Sequence, residues 1–190
     1  REAEKISPRL RQISRSPVAG MNFTSSSTLR FVERGSGYVL EANTENEMLT
    51  RLTNTLVPRV YEALIAQNNV IVMRGLDDET GIIATSVAVA STSPALSTST
   101  PGTLALRALP QNIRAIAVSP SGKEILYIRE ESGKALIMRS TWNGTDPRRI
   151  TSLGILGWQV DWLPYDRIIL TQNAADDAGS SLAKGLPGAV

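Results

Sequence analysis

Residues 113–151 read IRAIAVSPSGKEILYIREESGKALIMRSTWNGTDPRRIT, and this stretch decides the fold. Ile113–Val118 is a short apolar run of strand-forming residues. Ser119-Pro120-Ser121-Gly122-Lys123 follows, with Pro and Gly where a tight turn wants them. Glu124–Ile128 is the next strand, Glu130-Glu131-Ser132-Gly133 a turn, and Lys134–Ser140 a third strand. Asn143-Gly144 is a hairpin signal, and Arg148–Thr151 makes an outer strand. The stretch is therefore one four-stranded antiparallel meander.

Working outward, the same unit recurs. Phe31–Leu40 returns as Tyr127–Leu136, Arg51-Leu52-Thr53-Asn54 as Arg149-Ile150-Thr151-Ser152, and Val70–Met73 as Ile168–Thr171. The echo spans about 98 residues and holds a pair of units, so the underlying unit is near half that length. The units fall at about 16–54, 57–110, 113–152 and 157–190, the last incomplete. The first holds strands at Val18–Phe23, Leu29–Glu33, Tyr38–Ala42 and Glu47–Leu52; the second at Val60–Ile65, Val70–Arg74, Ile82–Ala90 and Leu104–Leu109. The fourth holds Trp158–Leu163 and Arg167–Gln172, after which the strand signal fades. Residues 1–15 read as a basic, solvated arm or linker, and Ser91–Thr103 as an exposed Ser/Thr/Pro loop. The fold expected is all-β, with repeated four-stranded blades forming a partial or small propeller; a β-sandwich of meanders is the alternative.

Composition narrows the chemistry. In 190 residues there is neither Cys nor His, which removes thiolate nucleophiles, imidazole bases, disulfides and most zinc sites. Lys and Arg number 20 against 18 Asp and Glu, too even for the basic stripe of a nucleic-acid binder. Aromatic residues are 5% of the chain, so the core rests on Val, Ile, Leu and Ala. No apolar run reaches bilayer length. The chain begins at Arg1, so a membrane anchor or signal peptide is expected only as an upstream segment.

The stretch Ile113–Thr151 resembles the WD40-like repeats of TolB-type β-propellers. Ser119-Pro120-Ser121-Gly122-Lys123 matches that family's S-P-D-G-K turn, with Ser121 in place of Asp, and Arg148-Arg149-Ile150-Thr151 matches its closing strand. The first unit keeps only Arg51-Leu52-Thr53, and the second and fourth only the strand pattern. The resemblance implies radially arranged blades. Its matched residues are turn and packing residues, so it transfers no catalytic site. Propellers of this type mostly carry six or more blades, which implies that this chain is part of a longer protein or closes its ring by association.

Few constellations carry chemistry. Gly35-Ser36-Gly37 lacks the G-x-S-x-G spacing and has no His to serve it. Asp77, Asp78, Asp176 and Asp177 form two acidic turns at matching places and are the candidate cation ligands; solvated turns would look the same, and EF-hand spacing is missing. Trp142, Trp158 and Trp162 are the candidate binding residues, a stacking platform for sugar or peptide, although packing between units also suits them. Trp158 and Trp162, four apart in a strand, share one face, with Asp161 on the other. Sequons stand at Asn22 and Asn143, where the latter already has a turn role.

The functional expectation is a non-catalytic binding or scaffolding module, extracytoplasmic, taking a protein, peptide or glycan at a propeller rim. No cofactor and no nucleic acid are expected, and self-association to complete the ring is an open partner. The alternative is a propeller gating a separate hydrolase domain; a carboxylate enzyme built on the acidic turns is a third reading.

Overall fold

The computed structural model describes residues 12–46, 48–77, 79–90 and 102–172. Among these there is no helix, and fourteen strands build successive antiparallel sheets in chain order. Blade 1 comprises β1 (Val18–Phe23), β2 (Thr28–Glu33), β3 (Val39–Asn43) and β4 (Leu49–Arg51). Blade 2 comprises β5 (Val60–Ile65), β6 (Val70–Leu76), β7 (Ile83–Val89) and β8 (Arg107–Ala108). Blade 3 comprises β9 (Ile113–Val118), β10 (Glu124–Glu131), β11 (Lys134–Thr141) and β12 (Arg148–Leu153). Blade 4 has two described strands, β13 (Trp158–Leu163) and β14 (Arg167–Gln172). Each sheet runs in sequence order, as a meander must, and no strand pairing joins blade 4 to blade 1 among the described residues.

The blades stack face to face, each pair sealed by its own apolar cluster, which is the arrangement of a propeller and not of a two-sheet sandwich. Val32, Val39, Val60, Ala63 and Ile71 seal blades 1 and 2. Val72, Val87, Ile113, Ile116 and Tyr127 seal blades 2 and 3. Ala117, Leu126, Ile128, Val160 and Trp162 seal blades 3 and 4. The outer part of the free face of blade 1 carries Phe31 and Leu40, against which Ile13 and Tyr38 pack.

The repeat extends to detail. The first hairpin of blades 1, 2 and 3 is offset at the same place, between Val18 and Gly20, Val60 and Glu62, and across Ala115 and Ile113. A bulge there steepens the local twist and lets consecutive inner strands fan around an axis.

Nine elements depart from their sequence boundaries, most by one or two residues, and three of them show a local cause. β4 starts at Leu49 because Asn43 and Asn46 turn their side chains onto the amides of Glu45, Asn46 and Met48, holding that stretch in a turn. β8 is only two residues long because Leu104 leaves the sheet, its amide donating to Thr55 Oγ1 at 2.6 Å and its side chain buried between blades 1 and 2. β10 runs on to Glu131, since Ser132 and Gly133, with φ of 50° and 72°, close the hairpin as a two-residue turn.

Candidate functional site

The first strand of every blade lies innermost, and together β1, β5, β9 and β13 wall an axial groove of about 690 Å³. Alternation in β5 and β9 sends successive side chains toward opposite neighbouring blades, as Ala63 and Leu64 or Ile116 and Ala117 show. The groove surface is mixed: Asn22, Glu62, Gln67, Gln159 and Asp161 offer polar groups, and Met21, Ala115 and Trp162 apolar ones.

An ion pair anchors its wall. Arg74 on β6 is buried and pairs with Glu62 directly across from it on β5. Its other nitrogen reaches the next blade, donating to the carbonyls of Ile113 at 2.6 Å and Arg114 at 2.9 Å. The guanidinium also lies 5.3 Å from the Tyr61 ring centre. Burial pushes the Tyr61 hydroxyl above its usual pKa, against the pull of the Arg74 charge.

Comparable contacts join blades 1 and 2, and a further one joins blades 2 and 3. Arg30 pairs with Glu41 at 2.7 Å and donates to Asn69 Oδ1 of blade 2 at 2.5 Å. Asn22 Nδ2 donates to the Ile65 carbonyl at 2.7 Å. Asn68 Nδ2 donates to the Gly122 carbonyl at 3.0 Å, and a Cβ on Gly122 would stand 1.8 Å from Asn68 Oδ1. The glycine of the S-P-S-G-K turn is favoured by its own φ of 67°, and a side chain there would have to displace the Asn68 amide.

A second cleft, about 300 Å³, opens between the blade 3 and blade 4 turns, lined by Pro120, Ser121, Glu124, Arg139, Tyr165 and Asp166. Arg139 pairs with Glu124 at 2.5 Å and lies 5.2 Å from the Trp162 ring centre, while Trp162 Nε1 donates to Asp166 Oδ1 at 2.8 Å. The Arg139 hydrogen bond holds the Glu124 carboxyl below its usual pKa. A carboxylate with a lowered folded-state pKa stabilises the fold above its unfolded pKa, and that contribution fades as pH falls through the folded value. The stability difference between the native chain and Glu124→Gln is therefore expected at neutral pH and to vanish in acid; unfolding curves across pH 2 to 7 would show it, about 0.5 kcal/mol for an exposed pair.

The sequence candidates divide. Trp158 and Trp162 do share a face, and that face packs into the cluster between blades 3 and 4, while Trp142 packs between blades 2 and 3. The three tryptophans therefore form no common surface, and only Trp162 reaches the groove wall. Asp77 lies in an exposed turn where its Oδ1 accepts the amides of Glu79 and Thr80 at 3.0 Å, which holds its pKa down. Asp78, Asp176 and Asp177 lie outside the described residues, as does most of the Ser91–Thr103 loop. Among the described residues no three acidic side chains gather as a metal site. Asn143 Oδ1 accepts from Thr141 and Thr145 within its turn, the role its Asn-Gly pair suggested.

No protein-family model matches the chain. No curated protein matches it either. Solved structures match in fold. A chain in the crystal structure of a nidogen/laminin complex superposes with TM-score 0.52 at 13% identity, over 82% of this chain and 56% of that one. TolB from Acinetobacter baumannii gives 0.48 at 17% identity, over 82% and 38%. The β-propeller domain of the Trilobed protease from Pyrococcus furiosus gives 0.45 at 12% identity, over 72% and 41%. The chain spans little more than half the length of the first of these structures and less of the others. Its fold is that of a β-propeller, with no strand pairing between the first and the last blade among the described residues.

Proposed function

We propose that the chain is a non-catalytic binding module that takes an extended segment of a protein partner along the axial groove. The observation that carries this is the groove wall itself: Asn22, Gln159 and Asp161 on inner strands and Gln67 in the turn after β5 present amide and carboxylate side chains beside apolar Met21 and Trp162. Such a mixture suits a peptide, whose backbone needs polar partners and whose side chains need apolar ones. Asp161 is exposed and adds a negative charge, which favours a partner segment with a basic side chain. The paired Glu62 and Arg74 act as rigid wall and need no ligand to satisfy their charges.

An extracytoplasmic setting fits a fold shared with a chain of a nidogen/laminin complex. A propeller that gates a separate hydrolase domain would use the same groove as its passage.

The test is a display selection of random peptides on the native chain, followed by calorimetry. Enriched basic peptides that lose about tenfold or more in affinity toward the double variant Gln159→Lys, Asp161→Lys are expected. Both positions are exposed, so the variant's melting temperature should stay within a few degrees of the native one. Peptides that bind the variant equally well would remove the groove from the reading.

A further inference from the structure

The turn between β13 and β14 runs against its local rules. Tyr165 and Asp166 are consecutive left-handed residues, with φ of 64° and 57°. Asp tolerates that conformation, but a bulky side chain rarely adopts it, and Gly or Asn would hold the same turn at less strain. Arg59 apart, the other non-glycine positions with positive φ among the described residues are Asn, Asp or Ser. The strain at Tyr165 secures little packing. Tyr165 is 89% exposed, whereas Tyr38, Tyr61 and Tyr127 are half-buried or buried. Its ring meets the Arg167 guanidinium at 5.8 Å. Such strain, kept where it secures little packing, asks for a reason outside folding.

Tyr165 lines the cleft of about 300 Å³ between the blade 3 and blade 4 turns. The polar groups of that cleft are held in place by one another. Arg139 donates to Glu124 twice, from Nε at 3.0 Å and from Nη2 at 2.5 Å, and Asp166 Oδ1 accepts the Trp162 indole N–H at 2.8 Å. Carboxylates and a guanidinium so engaged still offer further lone pairs and N–H groups to a ligand. Their charges cancel, Glu124 and Asp166 against Arg139 and Arg167, so a free ion meets no strong field of opposite sign. A flat aromatic face beside a balanced set of donors and acceptors suits a molecule with one apolar face and hydroxyls around its edge. That is the chemistry of a sugar ring. The volume lies at the low end for small-molecule sites, enough for one such unit.

We propose that this cleft is a second binding site, for a neutral saccharide unit that stacks on Tyr165 and places its hydroxyls against Glu124, Arg139 and Asp166. Ser119 and Pro120 border both the cleft and the axial groove, while Ser121, Glu124, Arg139, Tyr165 and Asp166 belong to the cleft. The exposed platform is thus a tyrosine in a turn, and not the tryptophans, whose rings pack between blades.

The test begins with the full chain on an array of immobilised neutral and anionic glycans, followed by titration of the retained neutral saccharides in solution. A Kd on the order of 1 mM is expected for one unit on one aromatic ring. The Trp162 indole N–H resonance should move during titration, because its acceptor Asp166 lines the cleft. Tyr165→Gly should weaken binding about tenfold or more, and Tyr165→Phe by no more than about twofold, since the ring does the stacking. Tyr165→Gly should also unfold at an equal or higher urea concentration, because glycine takes this φ without strain. Gln159→Lys, Asp161→Lys lies outside the cleft and should leave saccharide affinity unchanged, which separates this site from the groove. Retention of no neutral glycan, equal affinity in Tyr165→Gly, or a lower unfolding midpoint accompanying its loss of binding would overturn the proposal. So would a preference for anionic glycans that fades with salt, or a loss of saccharide in the groove variant.

Discussion

Gly20→Ala is expected to destabilise the fold by about 3 kcal/mol or more, the cost of forcing backbone apart in a closely packed interface. The site is the crossing of β1 over β5. A Cβ on Gly20 would stand 1.8 Å from the Ala63 carbonyl oxygen and 2.7 Å from its carbon. Backbone cannot rotate away as a flexible side chain would, so the inner strands must separate by more than an ångström. That movement would break the Asn22 bond to the Ile65 carbonyl and loosen the contact of Ala19 with the blade 1–blade 2 cluster. Gly35→Ala is the matched control, since a Cβ there meets nothing within 4 Å. Urea unfolding of both variants, with hydrogen exchange along β1 and β5, checks the expectation. Equal midpoints for the two variants would refute it.

Arg74→Met should cost about 2–4 kcal/mol, through lost charge-assisted hydrogen bonds across the blade 2–blade 3 junction. Three acceptors lose their donor: the Glu62 carboxylate and the carbonyls of Ile113 and Arg114. Methionine keeps much of the side-chain volume, so the loss reads the polar contacts more than a cavity. Arg74→Lys should recover little, because one ammonium lacks the planar fork that serves a carboxylate and a strand edge together. Glu62→Gln should cost less, about 1 kcal/mol, since that side chain is 37% exposed and water replaces part of its role. Chemical denaturation of the three variants ranks them. An Arg74→Met chain as stable as the native one would mean that the apolar cluster alone holds the junction.

Much of the architecture was legible because it is local. Val18–Phe23, Val60–Ile65, Ile113–Val118, Trp158–Leu163 and Arg167–Gln172 are strands with the boundaries that their apolar runs and flanking turns predicted. Alternation also placed Trp158 and Trp162 on one face. The elements that moved were those where side chains compete with the ladder, as Asn43 and Asn46 do before β4.

The interblade arginines were not singled out, although a signal existed. Arg30, Arg74 and Arg139 each interrupt an apolar strand, and each pairs with a glutamate one strand away. A lone cation at a position where packing wants an apolar residue asks for a buried partner. Its second partner, in the neighbouring blade, cannot be found from one strand pair alone.

The sequence by itself determined the repeat, the meander order and the turns, because strand alternation and turn chemistry act over two to five residues. Only the tertiary structure decided that Arg74 reaches carbonyls about 40 residues further along, that Gly20 lies against Ala63, and that four inner strands share one groove. These depend on the angle and spacing at which successive twisted sheets stack, a property of face-to-face packing between blades that no single strand encodes.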